Sequence, residues 1–205
     1  MSDYLTMQTR IQDELKRGNL SSQIQNAIIS ALRFYKRHKF RFNVARATAD
    51  TTADIEYYGL PDDFIELDTM VLQEGQELVF MTERSHYWID QEKGWADYRD
   101  RPRVYSVQAD EFRLYPIPDG VYELTLTYHY ELPEPSADTD TSSWFTDGEE
   151  LIRTHAKVDI LENIIRGPES LQEAQVLRLR EQEVLKQLRI EYKRSQSSGT
   201  LTPTF

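Results

Sequence analysis

Residues Ile24-Gln-Asn-Ala-Ile-Ile-Ser-Ala-Leu-Arg-Phe-Tyr35 run on into Lys36-Arg-His-Lys-Phe-Arg-Phe-Asn-Val-Ala-Arg-Ala-Thr-Ala49. They decide the fold class, because the periodicity of the chain changes inside them. Ile24, Ile28, Ala31 and Tyr35 recur at three- and four-residue spacing and stripe one face of a helix that reaches about Phe40. From Val44 the period is two, and Val44 to Ala49 reads as a strand. A helical pattern that turns into a strand pattern, and later turns back, predicts an α+β chain: a helical bundle with an inserted antiparallel β-rich region over 43–130.

Upstream, Met7, Ile11 and Leu15 predict a helix over 4–17, stopped by Gly18-Asn19. With a second helix over 22–40, capped by Ser21 or Ser22, it forms a helical hairpin. Downstream, Ile55–Tyr58, Phe64–Leu72 and Glu77–Phe80 read as strands, with Glu74-Gly-Gln76 as a tight turn. Thr82 to Glu92 reads as a short helix capped by Thr82. Strands resume at Val104, and Tyr122 to Tyr130 alternates cleanly, with Tyr122, Leu124, Leu126 and Tyr128 on one face. An acidic loop over 131–150 leads to a third long helix, 147–166. Gly167-Pro168 breaks it.

The pattern divides the chain into a body, 1–166, a C-terminal helix, 167–194, and a polar tail, 195–205. Leu171, Ala174, Leu177, Val184, Leu185 and Leu188 form only a narrow stripe on the last helix, with Glu181 in a gap. A helix this polar predicts an arm that projects and packs on a partner. The tail reads as flexible, with Leu201 and Phe205 as apolar anchors.

The 205 residues hold 39% hydrophobic and 29% charged side chains, enough apolar material for a core. With no Cys, disulfides, thiolate nucleophiles and Cys-based zinc sites are excluded. No apolar run approaches ~18 residues, so no membrane helix is expected. The first residues lack a signal-peptide pattern, and assembly in the cytoplasm is expected. The net charge of −11 is unevenly laid out: residues 1–46 carry +6, 47–150 carry −19 and 151–205 carry +2. Such asymmetry bears on partners.

Chemistry-bearing motifs are weak. His155 and Asp159 lie one helical turn apart, but no third ligand or nucleophile motif accompanies them. The acidic pairs Asp62-Asp63, Asp110-Glu111 and Glu149-Glu150 suit turns and a helix N-terminus better than the separated carboxyls of a glycosidase. Asp138, Asp140, Ser142 and Glu149 match positions of a calcium loop, yet Ser143 stands where that loop needs Gly. No cofactor, metal or catalytic residue is expected.

Residues 33–46 are the sharpest charge feature: six Lys/Arg, four aromatics and no acid. Three readings stand open. The segment can bind nucleic acid through phosphates and stacking. It can dock on an acidic protein surface. Or its aromatics belong to the core and its charges are solvated.

Several segments together resemble the head-to-tail adaptor, or connector, family of tailed phages, of the short-tailed type. They are Leu5-Thr-Met-Gln-Thr-Arg-Ile-Gln-Asp-Glu-Leu15, Gln23 to Tyr35 followed by Phe40-Arg-Phe-Asn43, and Tyr58-Gly-Leu-Pro-Asp-Asp-Phe64. Arg101-Pro-Arg-Val-Tyr105 with Phe112-Arg-Leu-Tyr-Pro-Ile-Pro-Asp119 follows, then Trp144-Phe145 and the helix after it. The resemblance covers roughly residues 4–166. It implies a structural virion protein that forms a dodecameric ring beneath the portal, extends the DNA channel and supports tail components, with no catalytic residues. The implied partners are the portal, a tail nozzle or hub protein and copies of the chain itself. DNA would pass without specific binding, and no membrane is involved. On physical grounds, portal or inter-subunit contacts are expected at Arg33, Lys36, Arg37, Leu177, Val184, Leu188, Leu201 and Phe205. A tail-associated peptidoglycan hydrolase and a nucleic-acid-binding packaging protein are the competing functions.

Overall fold

A computed structural model describes residues 2–94 and 97–197. The helices are α1 (Tyr4–Leu15), α2 (Ser21–Tyr35), α3 (His86–Lys93), α4 (Ser143–Thr146), α5 (Glu149–Ile160) and α6 (Pro168–Ser197). The strands are β1 (Val44–Asp50), β2 (Tyr57–Gly59), β3 (Phe64–Glu74), β4 (Glu77–Phe80), β5 (Thr82–Glu83), β6 (Val104–Gln108), β7 (Glu111–Tyr115) and β8 (Glu123–Tyr130). A 3-10 turn, Arg41–Asn43, precedes β1, and a π-helical segment, Leu161–Ile165, extends α5. The chain is α+β, as its periodicities predict.

It divides into two compact units, 1–43 with 131–205, and 44–130. The first is helical. Its core takes Met7 and Ile11 from α1, Ile24, Ile28 and Leu32 from α2, Trp144 and Phe145 from α4, and Leu151 and Ile152 from α5. Asp3 caps α1 by accepting from the Thr6 amide at 2.8 Å. The second helix is shorter than predicted. The chain turns after Tyr35, and buried Asn43 holds that turn, accepting from the Phe40 amide at 2.9 Å and donating to the His38 carbonyl at 3.0 Å.

The second unit is a pair of four-stranded sheets, ordered β1-β8-β3-β4 and β2-β7-β6-β5. Leu67, Met70, Leu72, Leu124, Leu126 and Tyr128 of the first sheet meet Tyr105, Phe112 and Leu114 of the second in one buried cluster. The face of β8 predicted from alternation is the buried one. The unit begins and ends on neighbouring strands: β1 pairs with β8, Val44 opposite His129 and Asp50 opposite Glu123. Entry and exit are adjacent, the condition under which a unit inserts into another without disturbing it.

Two further local expectations fail: neither Ser21 nor Ser22 caps α2, whose N-cap is Leu20 with no side-chain cap bond, and no helix starts at Thr82. Thr82 does not cap a helix; Thr82–Glu83 pairs with β6 as β5, and α3 starts four residues later, capped by Ser85 accepting from the Trp88 amide at 3.2 Å. Both residues have cap chemistry. Pairing with Val104, distant in sequence, selects the second.

Candidate interaction surface

The basic and aromatic segment after α2 separates into parts with different fates. Tyr35 and Phe40 are fully buried, and Phe40 stacks on Phe42 with ring centroids 4.9 Å apart while Trp144 packs edge-on. Those aromatics are core. Phe34, 60% exposed, instead lies over the His155 ring at 5.0 Å.

The cations separate as well. Arg33 donates through Nε and Nη2 to both carboxylate oxygens of Glu134, at 2.7 and 2.9 Å. Lys36 reaches Glu131 at 3.0 Å. Arg33's hydrogen bond holds the Glu134 carboxyl below its usual range. Of the three readings of this segment, docking on an acidic surface is met in part within the chain, by its own 131–150 loop. Arg37 and Arg41 are exposed and have no ion pair among the described residues.

The loop's other carboxylates are also engaged. Asp140 Oδ2 accepts from the Ser136 and Ala137 amides at 2.7 and 2.9 Å, Asp138 accepts from Gln8 at 3.1 Å, and Glu149 pairs with Arg10. They cap turns and tie elements together. Among the described residues no group of three His, Asp or Glu converges as a metal site.

Glu181, a gap in the apolar stripe of α6, is the centre of a polar cluster inside the helical unit. Its Oε1 accepts from the Tyr35 hydroxyl and lies 2.7 Å from His155 Nδ1. Burial pushes this carboxyl up, but the hydrogen bonds from His155 and Tyr35 outweigh it, and the net shift is downward. Tyr35 is raised well above its ordinary value by burial and then by its bond to the carboxylate. His155 therefore uses Glu181, distant in sequence; Asp159 accepts instead from Asn163, at 2.7 Å.

These contacts overturn the picture of α6 as a projecting arm. The helix packs along α5, the π-helical segment and the 3-10 turn of its own unit. Ala174 and Val184 are buried, and Leu177 and Leu188 are half-buried on the same face. Arg178 clamps Glu162 through two hydrogen bonds, at 2.7 and 2.5 Å, and Arg180 holds Glu150 at 2.8 Å. The narrow stripe is supplemented by the half-buried Glu181, which bonds to α2 and α5, and by the two arginine pairs at the surface. Val184, expected at an interface, is thus occupied within the chain. The opposite face carries a second apolar row: Val176 is 67% exposed and Leu179 64%. Leu201 and Phe205 lie outside the described residues.

The β-unit brings together two groups that the sequence did not single out. Arg113, 4% exposed, pairs with Glu56 and with Asp90 at 2.5 Å, under the Tyr57 ring. Lys93 joins Glu56 at 2.8 Å. Nearby, Ser106 Oγ lies 2.8 Å from His86 Nδ1. Serine, histidine and Asp90 resemble parts of a hydrolytic triad, but the geometry is wrong. Asp90 is bonded to Arg113, and Ser106 is 1% exposed, so no substrate reaches its oxygen. Only the pairing of distant strands could have revealed either group.

The two units also differ in charge. Residues 44–130 hold seven Lys/Arg against eighteen Asp/Glu, a net of −11; the helical unit holds seventeen of each. The entire net charge of the chain resides on the β-unit.

The fold thus defines a two-unit α+β scaffold in which the polar clusters described above pair internally and large apolar side chains stay exposed. Compared with known proteins, residues 2–203 match the family described as SU10 adaptor protein. The match spans nearly the whole chain, which belongs to this family of phage head-to-tail adaptors. No curated protein matches.

Proposed function

We propose that this adaptor forms a ring beneath the portal, extends the channel through which DNA passes and offers a platform to tail components. The family match over residues 2–203 carries the reading. The surfaces support it: a ring subunit needs faces for two neighbours and for axial partners, and Val176, Leu179, Phe34, Leu78 and Phe80 are large apolar side chains left in solvent. Its partners are the portal protein, a tail nozzle or hub protein and further copies of the chain, twelve by resemblance; its location is the neck of the virion.

DNA is a passenger in this reading. A unit of net −11 repels phosphate, and internal pairing of Arg33 and Lys36 removes two of the cations that would have gripped it. Negative-stain electron microscopy of the purified chain mixed with its portal tests the proposal. Rings stacked on the portal are expected; a mixture in which the two proteins stay separate would overturn it.

A further inference from the structure

Strand β4 lies at the edge of its sheet, paired with β3 on one side only. Alternation sends Val79 inward to the core, while Leu78 and Phe80 stand on the outer face, opposite Gln73 and Val71. Leu78 is 60% exposed and Phe80 73%. Proteins ordinarily guard an edge strand with charge or cover, because its backbone and apolar side chains recruit other chains. Here Glu74 and Glu77 face each other at the turn end of the row, and both pair with Arg101, at 2.6 and 3.2 Å, so one of the two negative charges stays uncompensated. The β3–β4 hairpin is an apolar ridge with a net acidic end.

The helical unit presents the complement. Gln182, Leu185, Lys186, Arg189, Ile190 and Lys193 recur at helical spacing along the C-terminal half of α6 and line one recess. Leu185 and Ile190 give it an apolar floor, with Ile190 still 39% exposed. Lys186, Arg189 and Lys193 have no carboxylate partner among the described residues. Three cations beside an apolar floor fit an acidic apolar ridge.

We propose that the recess on α6 receives the β3–β4 hairpin of a second copy of the chain, an inference that rests on the ring-forming function above. Charge and shape classes argue for a second copy: the ridge and the recess are opposite in sign, both partly apolar, and each chain carries one of each. A contact between different patches on identical subunits is heterologous, repeats head to tail and closes into a ring when the rotation permits. Phe80 and Leu78 are the buried anchors of the contact; the cations set its register and its salt dependence.

The absence of native Cys gives a direct test. The full chain carrying Phe80→Cys and Leu185→Cys is oxidised and run without reductant. A ladder of covalent species beyond the dimer is expected, absent from either single variant. No ladder, or a disulfide internal to the monomer, would overturn the contact. A second measurement guards against misfolding. Lys186→Glu with Lys193→Glu, and separately Glu74→Lys with Glu77→Lys, should each weaken self-association by about tenfold or more in sedimentation while circular dichroism stays unchanged. Mixing the two variants should restore it, because each then offers the other a matched pair. Failure of the mixture to associate better than either variant alone also overturns the contact. Rings on the portal without a ladder would sink this contact and leave the ring-forming function standing. A ladder without rings would do the reverse.

Discussion

Glu181 shows how one residue can be misread from a linear pattern. In an apolar stripe a carboxylate looks like an interruption, yet its value depends on what faces it. Tyr35 and His155 come from α2 and α5, and both bond to it in a site where its side chain is only 12% exposed. Removing it leaves the buried Tyr35 hydroxyl without its partner and takes the half-buried His155 Nδ1 off its acceptor. Glu181→Ala should therefore destabilise the chain by about 1–3 kcal/mol in urea denaturation at neutral pH; a variant as stable as the wild type would show that the trio contributes nothing. The sign of the pH effect follows from the depressed carboxyl. The folded state binds the proton less readily than the unfolded state, so the contribution is present above the ordinary glutamate value. It is lost as pH falls below about 4.3. The wild-type advantage over Glu181→Ala should shrink across that acidic range, and an advantage that grew on acidification would contradict the assignment.

At the scale of the element, α6 has two faces with separate tasks. Its thirty residues span about 45 Å. One face, with Ala174, Leu177, Val184 and Leu188, lies on the helical unit; the other exposes Val176 and Leu179. The faces should respond differently to the same substitution. Val184→Asp puts an unpaired charge in a packed site and should cost several kcal/mol or shift the group to its neutral form. Leu179→Asp replaces an exposed side chain and should leave stability within about 0.5 kcal/mol of wild type. It should nevertheless impair association with the portal or with neighbouring copies, since large exposed apolar side chains mark contact sites. Equal melting temperatures for both variants would contradict the packing of α6. Unimpaired assembly by Leu179→Asp would remove the outer row from the interface.

At the scale of the whole molecule, the two units are distinct in core, secondary structure and charge. The β-unit buries its own two-sheet cluster and starts and ends on paired strands, so its chain ends need no help from the helices. Residues 44–130 expressed alone should give a β-type circular dichroism spectrum and a cooperative melt. A fragment that remains unfolded would show that the helical unit supplies part of its stability. The same fragment carries the full net charge of −11 and should bind strongly to an anion exchanger, while the helical unit, with seventeen charges of each sign, should not.

The amino-acid sequence by itself determined the fold class, the start of the first strand at Val44, the inward face of β8 and most element positions. Each of these rests on local periodicity, turn chemistry or caps, which are properties of neighbours along the chain. It also carried the family resemblance, because ordered segments such as Leu60-Pro-Asp-Asp-Phe64 are legible without coordinates. The tertiary structure alone decided where charges and polar groups find partners. Arg33 meets Glu134 across a hundred residues of sequence, Glu181 meets Tyr35 and His155, and Arg113 meets Glu56 and Asp90. It decided too that α6 lies on its own bundle, that β5 forms where a helix cap was read, and which apolar residues stay in solvent. Pairing energy depends on distance and burial, and neither is a property of sequence spacing once the chain has folded back on itself.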